Sequence, residues 1–344
     1  MAMVSVPSNR LGWRVARHAS QVEFNYVCNQ DSVTDPALLS SARNVKLDVM
    51  DARPRETVMG AEQSTSDRAT NVPPAQYLDA RHAIEAMAMS SGRRMLDAPF
   101  THVCVMAAYA GALIALGALF SVLLSAGVET QGPRRLLEGL GFSAGFFFVI
   151  QSQAALFTEI NVVMPVALLH YSKGALLVKA GRFWVLAFVA NLVGALAIGY
   201  LVPTVQSYPP EMASRLVEIV STKMTYREIG GINGWIQAVL SGMLANWLVG
   251  LAAFFATMGR TIIDRFVPVF LAVSLFVAAG FQHSPANMAY FSLAAGAGMG
   301  PGWSAALGWS ILPAALGNLL GGILLVTVPL WISFGSKHSS MIED

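Results

Sequence analysis

A long uncharged stretch constrains the fold of this chain more than any other feature. From Phe266 to Trp331 the sequence holds no Asp, Glu, Lys or Arg, and His283 is the only histidine within it. Of the 344 residues, 55% are hydrophobic and 12% are charged, whereas soluble domains carry about 25% charged residues. The sequence therefore predicts an all-α protein embedded in a lipid bilayer.

Six apolar segments are long enough to cross a bilayer as helices, which takes about 20 residues each. They are Thr101–Gly127, Leu140–Tyr171, Phe183–Pro203, Ile232–Met258, Phe266–Leu293 and Trp303–Phe334. The second and fifth are interrupted by polar residues and hold matching places in two groups of three. Interrupted helices at matching places predict two inverted three-helix repeats with a substrate site between them.

The segment after each interruption carries an asparagine in a related motif. Asn191 lies in Ala-Asn-Leu-Val-Gly, and Asn318 lies in Gly-Asn-Leu-Leu-Gly. Thr158 precedes Asn191 by 33 residues and His283 precedes Asn318 by 35, a similar spacing that supports the repeat. We expect Asn191 and Asn318 to be structural and to tie helices together near the interface between the repeats.

The interruption around His283 predicts a functional site. Gly280 and Pro285 disfavour a continuous helix, since Pro285 supplies no backbone donor. A helix broken inside the membrane leaves free backbone groups that are tolerated only within protein or beside a water-filled cavity. A titratable ring at this depth is costly and marks a functional site by default. The sequence therefore predicts a pore or substrate site with His283 at its narrowest part; the alternative is a structural histidine bonded to a backbone carbonyl.

The uneven distribution of charge predicts four regions. We expect a polar, disordered cytoplasmic extension at 1–72, an amphipathic cytoplasmic helix at 73–98, a six-helix transmembrane channel domain at 99–335 and a cytoplasmic tail at 336–344. Lys and Arg are more frequent on the side of the N-terminus, which predicts a multi-pass protein of the plasma membrane, or of the inner membrane in a Gram-negative cell, with both termini in the cytoplasm. The net charge of +2 favours no nucleic acid partner.

Four motifs together resemble the formate/nitrite transporter family. Residues Gly280–Met288 read GFQHSPANM, similar to the family's G-[FY]-E-H-S-x-A-N-M, and Leu156-Phe157-Thr158 is similar to the end of its E-L-F-T loop. Residues Gly242–Val249 resemble its G-x-L-x-N-W-L-V motif, and Lys223-Met224 resembles its K-M pair. Three residues depart from the family pattern: Gln282 and Ala155 each replace a glutamate, and Glu159 replaces a small residue.

The resemblance implies an aquaporin-like bundle of six helices and a homopentamer with one pore in each protomer. It implies transport of a small monovalent weak-acid anion, formate or nitrite above hydrosulfide or lactate, without a cofactor, a metal or catalytic residues. It places His283, Thr158, Asn246 and Lys223 along the substrate path. It places the pore constrictions at Phe142, Phe146, Leu156 and Phe276. The sequence does not choose among these anions, or between a channel and a proton symporter.

The imidazole of His283 explains how such an anion could cross. A small anion is costly in the lipid core, and an imidazole with a reference pKa of about 6.5 exchanges protons near neutral pH. His283 is therefore expected to lend a proton to the anion or to bind it. Thr158 is expected to bond His283 or the substrate, or to cap a half-helix, and Glu159 is expected to be protonated or turned outward.

Three other functions remain open from the sequence. An aquaporin-like channel for neutral solutes fits the fold, although no Asn-Pro-Ala triplet occurs at either interruption. A membrane sensor or scaffold would show no flux. An intramembrane hydrolase would use Ser284 or Ser304 with His283, but neighbours in sequence do not define a nucleophile–base geometry.

Overall fold

In the described part of the chain, helices are joined by short loops, and one isolated backbone bridge is present. The computed structural model describes residues 77–172 and 174–335, and the bridge pairs Tyr77 with Gly259. The predicted extension at 1–72 and tail at 336–344 lie outside these residues. The predicted cytoplasmic helix at 73–98 is described from residue 77 onward.

Eleven helices follow one another in the described residues. They are α1 (80–97), α2 (Phe100–Ser125), α3 (Gln131–Ser152), α4 (Phe157–Tyr171), α5 (Ala175–Val205), α6 (Pro210–Lys223), α7 (Thr225–Ile229), α8 (Gly231–Met258), α9 (Ile262–Ala278), α10 (Ser284–Gly296) and α11 (Trp303–Phe334). Wider π-helical turns occur in α1 at Met87–Gly92, and in α11 at Leu307–Ile311 and Gly322–Thr327.

The helices overlap the six predicted segments. Helices α2, α5, α8 and α11 are each long and apolar enough to cross a membrane, and α3 with α4 forms a span that bends by 43° at its break. Helices α9 and α10 are separated by the five residues 279–283. The predicted breaks in the second and fifth spans are confirmed.

Glycines let the continuous helices approach each other closely at equivalent places. A Cβ on Gly194 would lie 1.8 Å from the carbonyl oxygen of Ala108 on α2, and a Cβ on Gly321 would lie 2.3 Å from that of Met243 on α8. Both glycines follow an asparagine, Asn191 or Asn318, by three residues. Small residues at such crossings bring helix backbones together in membranes, and here they hold each asparagine against its neighbouring helices.

Helix α1 packs under the spans through one apolar face. Ala83, Ile84, Met87 and Ala88 are buried in the same cluster as residues of α4. The α1 helix starts with a cap, since the Asp79 carboxylate accepts a hydrogen bond from the backbone N–H of His82 at 3.0 Å. This packing brings the polar side of α1 to one end of the site described below.

Candidate functional site

The break between α9 and α10 places His283 at the start of a half-helix. Gly280 has φ of +75°, a conformation that favours glycine, and the chain turns there away from α9. His283 is the N-cap residue of α10, and Pro285 follows in the first turn, where its missing N–H would have had no helical partner. Gly280 and Pro285 therefore break the helix in the way the sequence indicates.

Asn318 holds this break through three hydrogen bonds to backbone groups. Its Oδ1 accepts from the backbone N–H of Ser284 at 2.8 Å. Its Nδ2 donates to the carbonyl oxygens of Gln282 at 3.0 Å and Gly242 at 2.9 Å. The side chain thereby satisfies backbone groups on both sides of His283 and links them to α8.

Asn191 holds the other break in the same way. Its Oδ1 accepts from the backbone N–H of Phe157 at 2.8 Å. Its Nδ2 donates to the carbonyl oxygens of Ala155 at 3.0 Å and Ala107 at 2.7 Å. The structure places both asparagines as structural ties between helices.

These bonds define the register of the two repeats. Each asparagine bonds the residues 34 and 36 positions before it. The residue 35 positions before it is Leu156 in one half and His283 in the other, and both are N-cap residues. His283 is therefore equivalent to Leu156, whereas the spacing in the sequence suggested Thr158.

His283 and Thr158 meet between the two half-helices. The Nε2 of His283 lies 3.0 Å from the Oγ1 of Thr158, and both residues are fully buried. The Nδ1 of His283 accepts from the backbone N–H of Ala286 at 3.3 Å. Since Nδ1 is an acceptor, the proton of the neutral ring belongs on Nε2, which donates to Thr158. The Thr158 hydroxyl can then turn to donate to a further acceptor.

Two helix N-termini favour an anion at this pair. Thr158 lies in the first turn of α4 and His283 caps α10. The N-terminus of a helix carries a partial positive charge and unpaired N–H groups, which attract anions. The pair therefore combines a hydrogen-bond donor with a positive field in a dry environment.

Aromatic rings close one side of the pair. The Phe276 ring lies 4.9 Å from the His283 ring between centroids, and the Phe142 ring lies 6.3 Å from it. Phe146 lies one turn from Phe142 on α3, and Leu156 caps α4. The predicted constriction residues are all buried, with at most 1% of each exposed.

A cavity beyond Phe276 carries most of the charge near the site. We call it the Lys223 cavity; its volume is about 650 Å³ including its open mouth, and Phe276 and Tyr290 line its base. Its charged lining residues are Arg134, Arg135, Glu138, Arg215, Glu218 and Lys223. Arg215 pairs with Glu138 and Glu218, and Arg134 pairs with Glu218 at 3.2 Å. Four cations against two carboxylates leave the cavity positive.

Lys223 lies at the base of this cavity, outside the spanning helices, and is not an exposed loop residue. Only 7% of it is exposed, and its Nζ donates to the carbonyl oxygen of Phe281 at 2.9 Å. Burial lowers the pKa of Lys223 to about 8, and the nearby Glu138 carboxylate opposes the shift. Lys223 therefore holds a positive charge at neutral pH, and it bonds Phe281, which lies two residues before His283 in the broken segment.

A second cavity is lined by Glu159, the residue after Thr158, and shares no lining residue with the Lys223 cavity. We call it the Glu159 cavity; its volume is about 780 Å³ including its open mouth, and its charged lining residues are Arg94, Arg265 and Glu159. Glu159 directly follows Thr158 on α4. Its side chain lines this cavity.

The remaining predicted residues support the breaks. The Nδ2 of Asn246 donates to the carbonyl oxygen of Thr158 at 3.3 Å, so Asn246 contacts the backbone of the site. Gln282, which departs from the family pattern, accepts at Oε1 from the Nδ2 of Asn287 at 2.6 Å. Ser284 donates to Asn318 at 2.9 Å instead of to His283, so the hydrolase pair does not form.

Several site residues were missed by the sequence analysis. Asn287 lies within the His283 motif and could have been found there. Ser241, whose Oγ accepts from the backbone N–H of Gln282 at 3.0 Å, and Arg94, which donates to Gln153, come from distant segments. Nothing near them in the sequence indicates that they reach the site.

A sequence model of a protein family matches most of this chain. Residues 82–332 match the model described as "Formate/nitrite transporter". The chain belongs to the formate/nitrite transporter family. Its resemblance to this family in four motifs is thereby confirmed, and the shared segment contains both breaks, both cavities and the His283–Thr158 pair.

Individual relatives agree with this assignment. A probable formate transporter of Methanothermobacter thermautotrophicus is 31% identical over 251 residues, covering 69% of this chain and 90% of that protein. The formate channel FocA of Escherichia coli K12 is 28% identical over 248 residues, covering 65% of this chain and 84% of that protein. This member of the formate/nitrite transporter family is therefore a multi-pass membrane transport protein for small anions, and not an enzyme.

Solved structures show the same fold. An FNT family ion channel, 23% identical, covers 73% of this chain and 98% of that one with a TM-score of 0.63. A pentameric formate channel with formate bound, 22% identical, covers 69% of this chain and 98% of that one with a TM-score of 0.58. The predicted aquaporin-like fold of inverted three-helix repeats is confirmed.

Proposed function

We propose that this protein moves formate, or another small monovalent weak-acid anion, between the Lys223 cavity and the Glu159 cavity. The observation that carries the proposal is the His283–Thr158 pair, held at 3.0 Å between two half-helix N-termini. This pair offers a donor and a positive field to one small anion. The related formate transporter and formate channel support formate as the first substrate to test.

Entry begins at the Lys223 cavity. Its excess of positive charge raises the local concentration of anions, as charged clefts do. Lys223, at the base of the cavity, brings the anion to Phe276 and Phe142. An anion that passes these rings leaves water, and the hydrogen bonds of His283 and Thr158 replace part of its hydration.

The state of the His283 ring defines what its proton can do. In the described arrangement Nδ1 accepts from Ala286 N–H, so the neutral ring binds an anion by donating from Nε2. To lend a proton, the ring must first take one at Nδ1, which breaks the bond to Ala286. The imidazolium then gives the Nε2 proton to the anion, which leaves a neutral ring and a neutral acid able to cross the apolar constriction.

The assembly and orientation follow from the same proposal. We infer a homopentamer with a pore in each protomer, as in the related pentameric formate channel. Apolar side chains exposed along α5, among them Val178, Val185, Val189 and Leu201, suit contact with lipid or with neighbouring protomers. In a plasma membrane with both termini cytoplasmic, α1 lies in the cytoplasm, and the Glu159 cavity that it lines faces that side.

The test of the proposed function is flux in proteoliposomes. Purified protein is reconstituted, and formate, nitrite, hydrosulfide and lactate are applied separately with and without a proton gradient. Flux of at least one of these anions above protein-free liposomes is expected, with formate or nitrite fastest. Correctly assembled protein that passes glycerol or water but none of the four anions would identify a neutral-solute channel instead.

A further inference from the structure

We propose that the Glu159 cavity is a second anion site, at which Arg94 and Arg265 hold the anion and Glu159 holds a proton. This inference rests on the proposed function, because it takes the transported small anion as the ligand. It assigns a role to Glu159, which replaces a small residue of the family pattern. The two arginines come from helices far apart in the sequence, Arg94 from α1 and Arg265 from α9, and line the same cavity.

The cavity contains donors for an anion. Arg94 donates to the Gln153 side chain, and Arg265 donates through Nε to the carbonyl oxygen of Gly259 at 3.2 Å. A guanidinium has five N–H donors, so these bonds leave donors on both arginines. Both side chains line the same cavity, and a planar guanidinium matches the two oxygens of a carboxylate or of nitrite.

Glu159 is placed to hold a proton there. Its Oε2 is buried and has no hydrogen-bond partner among the described residues. A buried carboxylate oxygen without a partner is costly, and protonation or a new donor relieves the cost. Glu159 directly follows Thr158, the partner of His283, on α4.

The charges of the cavity link the proton to the anion. Arg94 comes from α1, Arg265 from α9 and Glu159 from α4; the lining residues from α3 and α8, including Gln153 and Thr257, carry no charge. His102 lines a separate, smaller cavity that also contains Arg94 and Gln153. An ionised Glu159 cancels part of the field of the two arginines, whereas a protonated Glu159 leaves it intact.

Binding of the proton to Glu159 and binding of the anion to the arginines therefore favour each other. Protonation of Glu159 removes a negative charge that repels the anion, and a bound anion favours the protonated form of Glu159. Linkage requires these two effects to be equal in size. The cavity then takes up the equivalent of a neutral acid, one anion and one proton, without any covalent step.

The test compares the pH dependence of the KM for formate flux in proteoliposomes over roughly pH 5.5 to 7, a range below the titration of Lys223. In the wild type, KM is expected to rise with pH as Glu159 ionises. In Glu159→Gln, which imitates the protonated form, KM is expected to stay low and to rise less with pH than in the wild type, with only the dependence due to His283 remaining. Glu159→Ala, which removes the carboxyl and restores a small residue, is a second variant and is expected to lose the same dependence.

The arginines are tested with a matched control. Arg94→Gln is expected to raise KM by about tenfold or more, the size of a lost charge-assisted hydrogen bond. Arg93→Gln, on the same helix but paired with Asp97 and absent from the cavity lining, is expected to keep the wild-type KM. A wild-type pH dependence in both Glu159 variants, or equal effects of Arg93→Gln and Arg94→Gln, would overturn this inference alone. Absence of flux in the wild type would instead overturn the proposed function.

Discussion

The two ring nitrogens of His283 have different hydrogen-bond partners. Its Nδ1 caps α10 by accepting from Ala286, and its Nε2 faces Thr158. The two nitrogens are not interchangeable, because the cap fixes the tautomer that places the donor at Nε2. A substitution at this position is informative only if it preserves the cap.

Lys223 provides a prediction at the residue scale. Because its pKa is lowered to about 8, it is mostly charged at pH 7 and mostly neutral at pH 9. Attraction of anions into the Lys223 cavity is therefore expected to weaken as the pH rises through 8. In Lys223→Gln, we expect a several-fold higher KM for formate at pH 7 that no longer rises with pH between about 7 and 9.

The matched variant for this prediction is Lys223→Arg, which keeps its charge over the whole range. It is expected to remove the rise in KM near pH 8 without the higher KM at pH 7. A rise near pH 8 that persists in Lys223→Gln would show that another group causes it. The measurement is the initial rate of formate uptake as a function of concentration at each pH.

The half-helices α4 and α10 depend on the asparagines beside them. Each break leaves backbone groups that have no helical partner, and Asn191 or Asn318 satisfies three of them. Such groups cannot turn to water at this depth, since both asparagines are fully buried. The position of His283 is thus fixed by a residue on the neighbouring span.

The substitution Asn318→Leu tests whether α10 depends on this asparagine. The change leaves Ser284 N–H and the carbonyl oxygens of Gln282 and Gly242 without their partner, at a cost of about 1–3 kcal/mol for each group. We expect a clearly lower melting temperature in detergent and less assembled protein. Asn246→Leu, which removes a single bond of 3.3 Å, is the control and is expected to lose much less. Equal stability of the two variants would contradict the account.

The sequence predicts the breaks but not everything that surrounds them. A glycine, a proline and a histidine in an uncharged run are local signals, and they locate the break at Gly280–Pro285 before any fold is known. The pairing of His283 with Leu156 is different, because it depends on bonds to asparagines on other helices. The burial of Lys223 and the meeting of Arg94 with Glu159 depend on how α6 and α1 pack, which no local pattern records.

At the scale of the whole molecule, the proposed path is expected to lie within each protomer. Both cavities and the His283–Thr158 pair are formed by residues of one chain. Assembly is expected to cover apolar surface outside them, such as the exposed side chains of α5. Residues at the protomer interface and residues of the pore can then be varied separately.

Native mass spectrometry in mild detergent tests the predicted assembly. The account predicts a homopentamer, and it predicts that His283→Asn and Glu159→Gln assemble like the wild type because neither side chain lies on the surface of the bundle. A stable monomer or tetramer as the main species of active wild-type protein would contradict the pentamer.

The most direct test of the central claim is the pH profile of formate flux in His283→Asn. Asparagine is a good N-cap residue, so α10 and the assembly are expected to survive, while the titratable ring is lost. Measured in proteoliposomes over roughly pH 5 to 8, the range in which histidine titrates, flux should fall strongly and its dependence on pH should flatten. Assembled His283→Asn protein that keeps both the wild-type rate and the wild-type pH profile would contradict a role for the His283–Thr158 pair in moving the anion.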